Sequence, residues 1–149
     1  MKRLVTVLFS AALLNAGAVF AEEGHHHGPV PGPKGGKVFE SEPLHAEVLV
    51  NPDRTVTVTF YDADMKAAAP DQQTVTVIAE APAGKVKLEL VARDGALSSA
   101  EPLPEGEGYQ VVVQVKTTAD AKSKNFRIKL LTHICGGCSN AEYACTCDE

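Results

Sequence analysis

Tryptophan is absent from this chain of 149 residues, and only three tyrosines and five phenylalanines supply aromatic bulk. A core must therefore be filled by Val, Leu and Ile, and β-branched side chains favour strands over helices. Cysteine is missing from the first 134 positions, because all four lie in the closing "HICGGCSNAEYACTCDE". That distribution excludes a disulfide framework running through the body of the chain. Positive charge is also in deficit, with 14 Lys and Arg against 19 Asp and Glu. Nucleic-acid binding rests on basic residues that neutralise phosphate, so it is excluded as a function. Long apolar runs are lacking too: the longest, Leu4 to Leu14, falls well short of the roughly 20 residues that span a bilayer.

That run has another meaning. Lys2 and Arg3 precede it, and small residues lead from it to Val19-Phe20-Ala21, which is the pattern of a secretory signal peptide over residues 1–21. No cysteine follows the cleavage point and no twin-arginine pair precedes the run, so neither a lipid anchor nor folded export is expected. Removal of Lys2 and Arg3, with no acidic residue, takes the net charge from −5 to −7. The mature chain is expected in the periplasm or outside the cell, with no transmembrane anchor left and enough length for one domain.

Residues 22–37, "EEGHHHGPVPGPKGGK", are rich in Gly and Pro and hold almost nothing to bury, the composition of a flexible leader. From residue 38 the pattern changes to short runs of period two. Val56, Val58 and Phe60 alternate with threonines. Val75 and Val77 do the same, as do Val86, Leu88 and Leu90, then Tyr109, Val111, Val113 and Val115, then Phe126, Ile128 and Leu130. With "KVFES" and "LHAEVLV" this predicts about seven strands. "NPDR", "APAG", "RDGA" and "LPEGEG" supply the reversals between them. The expected fold is all-β: a single antiparallel β-sandwich of Ig-like type over residues 38–132, followed by a Cys-rich tail at 133–149.

Gly32, Pro33, Gly35 and Gly36, then His45 and Glu47, then Tyr61, Asp62, Ala63 and Asp64 form a sequence of motifs over about residues 32–70. This stretch resembles small periplasmic β-domains found alone or at the front of adaptor proteins of bacterial heavy-metal efflux systems. The resemblance implies metal handling in the cell envelope and an efflux component as partner. Lys34 stands where many members carry histidine, and the tail lies outside the resemblance.

The tail reads His133-x-Cys135-x2-Cys138-x6-Cys145-x-Cys147. Thiolates select zinc, copper(I) and similar soft ions, and a C-x2-C pair turns both sulfurs toward one ion. Gly136 and Gly137 give the backbone freedom for that turn. Four thiolates, or three with the His133 imidazole, would close around zinc, whereas two or three sulfurs satisfy copper(I). Beside this stands a second reading, in which an exported chain oxidises its four cysteines to two disulfides and holds no metal. A third, a thiol–disulfide oxidoreductase at "CGGC", needs a helix N-terminus to lower the thiol pKa, and no helical period is present to provide one.

Weaker candidates are the imidazoles of His25, His26 and His27 in the leader. His45 and Glu47, two apart on one strand, are expected on an exposed polar face that could chelate an ion. Leu44, Ala46, Val48 and Val50 would take the core side. Asp62 and Asp64 could meet a hard cation. No nucleophile motif is present, so no enzymatic activity is expected. The sequence leads to an exported protein that captures, buffers or delivers zinc or copper(I); the competing class is a disulfide-stapled envelope interaction module.

Overall fold

The structure is a computed structural model that describes residues 32–147. The expected signal peptide and most of the leader, including His25, His26 and His27, lie outside the described residues. Within them the chain forms nine strands: β1 (Lys37–Ser41), β2 (Leu44–Val50), β3 (Val56–Tyr61), β4 (Ala67–Ala68), β5 (Thr74–Ala81), β6 (Gly84–Arg93), β7 (Ala96–Ser99), β8 (Gln110–Lys116) and β9 (Lys124–Lys129). No α-helix is present among the described residues; a single 3-10 turn, η1, covers Glu142–Ala144. None of their helices is long and apolar enough to cross a membrane.

Period-two patterning places side chains as the sequence implies. Val56, Val58 and Phe60 of β3, Val75 and Val77 of β5, and Val111, Val113 and Val115 of β8 are all buried in one core, joined by Ala46 and Val48 of β2. Full burial of such a side chain contributes about 1.5–3 kcal/mol, so this shared face dominates the stability of the domain.

The all-β class stands, but the strand count and arrangement differ from the seven-stranded Ig-like sandwich. The two additional strands are β4 and β7, and every pairing is antiparallel, in the order β1-β2-β3-β7-β6-β5-β8-β9 with β4 beside β3. The reason lies in β6, whose ten residues are long enough to serve two neighbours. Its first half pairs with β5 and Leu90–Arg93 pairs with β7, so one strand carries the hydrogen-bonded path across what would otherwise be a gap between two sheets. The β6–β7 reversal uses Asp94 and Gly95, both at positive φ, the conformation that matches the twist of a two-residue hairpin.

The sheet curls until its two edge strands approach each other. Phe39 of β1 stacks on Phe126 of β9 with ring centroids 4.5 Å apart and planes inclined by 21°. Such a pair contributes about 0.5–1.5 kcal/mol beyond its buried area, and it closes the seam of a near-complete barrel by side-chain contact. Arg54 ties the β2–β3 turn to the segment before β8: its guanidinium donates to the carbonyls of Leu103, Pro104 and Gly106 and to the Tyr109 hydroxyl.

Candidate metal centre

Beyond β9 the chain folds back on itself in a narrow loop. The N–H of Tyr143 donates to the carbonyl of Leu131 (3.0 Å), that of Glu142 to His133 (2.8 Å) and that of Cys135 to Asn140 (2.8 Å). Ile134 and Ala141 form an antiparallel bridge inside this ladder. At its tip Cys135 to Ser139 make a tight turn closed by the Ser139 N–H on the Cys135 carbonyl (3.0 Å), with Ser139 at φ 62°. The chain then enters η1, from which Cys145 and Cys147 emerge.

Tyr143 holds this arrangement to the barrel. It is 6 % exposed, packs with Ala144 in the main core, and its hydroxyl accepts a hydrogen bond from the N–H of Val50 on β2 at 2.9 Å. Burial pushes the phenol pKa up, so the hydroxyl stays neutral. Because Tyr143 lies between Cys138 and Cys145 in sequence, seating it in the core brings the second cysteine pair over the first.

The result is a cluster in which the four Sγ atoms all lie within 4.8 Å of one another. Cys145 is 3.2 Å from Cys135 and 3.7 Å from Cys138, and Cys147 is 4.0 Å from Cys135. A tetrahedral ion with metal–sulfur bonds of about 2.3 Å separates its sulfurs by about 3.8 Å. A disulfide needs about 2.05 Å, and all four cysteines are free. The spacing is compatible with four ligands around one ion, with Cys145 and Cys135 closer than an ideal tetrahedron places them.

Backbone donors lower the pKa of one thiol of the cluster, whereas contact between the sulfurs raises that of two others. The N–H of Asn140, reinforced by that of Thr146, draws the Cys138 thiol down to about 7. Cys145 accepts from the N–H of Cys147 at 3.4 Å, which lowers its pKa, but the neighbouring Cys135 thiol, burial and Cys138 outweigh that donor and the net shift is upward. Cys147 is pushed up to about 12, chiefly by contact with Cys145 and Cys138. One sulfur ionises readily and its neighbours then resist, because like charges this close repel. A bound cation would offset that repulsion.

The other candidates fall elsewhere. His133 is not among the clustered ligand atoms. Its imidazole is largely exposed and faces carboxylates, with Nδ1 3.8 Å from Glu107 and Nε2 4.0 Å from Glu142. The Thr132 hydroxyl, ahead of His133, holds the Glu107 carboxyl below its ordinary value. His45 is half-buried, opposite Glu40 on β1 and Tyr61 on β3. Asp62 is engaged in its own turn, where Oδ1 accepts from the N–H groups of Asp64 and Lys66, and Asp64 pairs with the Lys66 ammonium at 3.7 Å.

Glu47 requires a correction, because the exposed polar face expected for it is covered. It is 1 % exposed. Residues 32–36 fold over the outer side of β2 and β3, and the N–H groups of Lys34 and Gly36 both donate to Glu47 Oε1 at 2.8 Å. The Tyr61 hydroxyl donates to Oε2 at 2.6 Å, and its own pKa is raised by burial and then by Glu47. The fit leaves no room for side chains: a Cβ at Gly32 would lie 2.2 Å from Glu47 Oε1, and one at Gly36 2.5 Å from the Val48 carbonyl. Glu47 is thus the acceptor of a buried clamp, and the motif residues Gly32, Gly36, Glu47 and Tyr61 converge on it. This clamp also borders the tail, since a Cβ at Gly35 would meet Asn140 Oδ1 at 3.5 Å.

Sequence reasoning did not single out Tyr143. Its signal was available: it is the one large apolar side chain in the polar stretch between Cys138 and Cys145. Fold and site together define a class, an all-β domain whose C-terminal segment presents four clustered thiols suited to a metal ion. Beyond that class, no protein-family model, no curated protein and no solved structure matches the chain.

Proposed function

We propose that this chain is an exported, non-enzymatic metal-binding protein of the cell envelope that captures, buffers or delivers one soft transition metal through Cys135, Cys138, Cys145 and Cys147. The observation that carries the reading is the mutual approach of all four sulfurs within 4.8 Å without a bond between any two. Four thiolates bring four negative charges to one point, and a dication offsets them better than a monocation does. Zinc is therefore favoured over copper(I) as the resident ion, consistent with its preference for closed tetrahedral thiolate shells. In this reading His25, His26 and His27 collect ions weakly, His133 is a reserve ligand at the rim, and an efflux component of the envelope is the partner suggested by the resemblance of residues 32–70.

The second reading, a disulfide-stapled interaction module without metal, draws support from the 3.2 Å approach of Cys145 to Cys135 and from the oxidising character of the compartment. Protein purified from the periplasm under non-reducing conditions separates the two by thiol titration and metal analysis of the same sample. One equivalent of metal, with four thiols titratable once it is removed, is expected. Two disulfides and no metal would refute the proposal.

A further inference from the structure

The two glycines between Cys135 and Cys138 are adjacent in sequence but not equivalent in space. A Cβ built on Gly136 meets nothing within 4 Å, whereas one built on Gly137 lies 2.8 Å from Cys147 Sγ, 3.7 Å from Cys147 Cβ and 3.8 Å from Cys135 Sγ. Neither glycine has the positive φ that would demand its residue type for backbone reasons. Only Gly137 is therefore required by the cluster, and required by one sulfur: the contact with Cys135 would be ordinary, while that with Cys147 is far inside van der Waals distance.

Cys147 ends in a sulfur that can rotate, so it yields most easily to such a contact. It is exposed and its side chain has a single torsion, so a methyl group at position 137 would turn its sulfur outward. Cys135, Cys138 and Cys145 would stay in place. The site would then offer three thiolates in place of four.

Resting on the proposed metal reading, we propose that Gly137 is the specificity-determining position of this centre: by leaving space for Cys147 it completes a four-sulfur shell and selects zinc over copper(I). The charge argument points the same way. Four thiolates leave two uncompensated charges around zinc(II) and three around copper(I), and three thiolates already saturate copper(I). The fourth sulfur is therefore worth binding energy to zinc and little to copper(I). Gly137 acts through Cys147 and is a positioning residue, touching no metal itself.

The test compares the full chain with Gly137→Ala, Gly136→Ala, Cys147→Ser and the double variant Gly137→Ala/Cys147→Ser. Zinc and copper(I) affinities are measured by chelator competition, and cobalt(II) absorption reports the number of bound thiolates. Gly137→Ala is expected to weaken zinc about 10–100-fold, the range for disturbing the support of a metal ligand, while copper(I) affinity holds. Its cobalt(II) spectrum loses thiolate charge-transfer intensity and matches that of Cys147→Ser. Gly136→Ala behaves as the parent, and the double variant binds zinc no more weakly than Cys147→Ser alone. Equal losses for both metals in Gly137→Ala, losses of the same size in Gly136→Ala, or an unchanged zinc affinity in Gly137→Ala would each overturn the assignment. A parent chain that binds neither metal when reduced sinks the metal reading itself, and this inference with it, a result distinct from the other three.

Discussion

Replacing Tyr143 tests whether the cysteine-bearing segment is part of the barrel. Two losses separate by variant. Tyr143→Phe removes only the hydroxyl that accepts the Val50 N–H, leaving a half-buried donor without its partner at a cost of about 1–3 kcal/mol at most. Tyr143→Ala also empties the space of a ring that is 6 % exposed and seated in the main core, and large aromatic truncations of this kind cost about 3–5 kcal/mol. In urea, with a slope near 2 kcal/mol per molar for a domain of this size, the Phe variant should lower the unfolding midpoint by about 0.5–1.5 M. The Ala variant should lower it further. Zinc adds a second axis: at about a thousand times its Kd, a ligand that binds only the folded state adds about 4 kcal/mol. The parent chain should show that increment in the unfolding of the barrel, and Tyr143→Ala should show less of it, since the metal would then hold a segment no longer tied to β2. An unchanged midpoint in Tyr143→Ala, with the same zinc increment as the parent, would refute the coupling and make the tail a detachable appendage.

Other perturbations address the remaining elements. Glu47→Ala takes the acceptor from the N–H groups of Lys34 and Gly36 and from the Tyr61 hydroxyl; a loss of about 3 kcal/mol or more is expected in denaturant unfolding. Gly36→Ala forces a Cβ against the Val48 carbonyl and should cost about 1–3 kcal/mol, with hydrogen exchange rising first in β1 and β2. In the reduced, metal-free chain near neutral pH, alkylation followed by peptide mapping should find Cys138 modified ahead of Cys147, because the first thiol is drawn down to about 7 and the second pushed up to about 12; zinc should protect both. Cys145 and Cys147, raised above their ordinary values, are protonated at neutral pH and must release protons to bind. Zinc affinity should therefore fall as pH is lowered, by about tenfold per unit for each proton displaced, and a weakly buffered indicator should register the released acid.

Much of the fold is legible in the alternation of side chains, because period two and one buried face are a local signal. Val56, Val58 and Phe60, or Val111, Val113 and Val115, could be assigned to the core without knowing their neighbours. β7 was not legible: "ALSS" is short, carries no alternation of large apolar residues, and is a strand only because β3 and the second half of β6 flank it. Val86 looked like a core residue and is exposed, although Leu88, two positions on along the same strand, is buried. Glu47 failed for a related reason, as its face was assigned correctly but its cover comes from residues 32–36, more than ten positions away. The clustering of four cysteines followed from their spacing, whereas the device that gathers them, a tyrosine reaching β2, depends on tertiary packing that no spacing rule contains.

The hydrogen bond between Val50 and Tyr143 joins positions 93 apart in the chain. A contact of such separation is entropically costly to close before other contacts shorten the loop, so the tail is expected to dock late in folding. Until then the thiols are merely four reactive groups on an open segment. On the proposed metal reading, an ion that finds the thiols gathered meets a chain whose tail has already docked, so metal uptake should report completed folding.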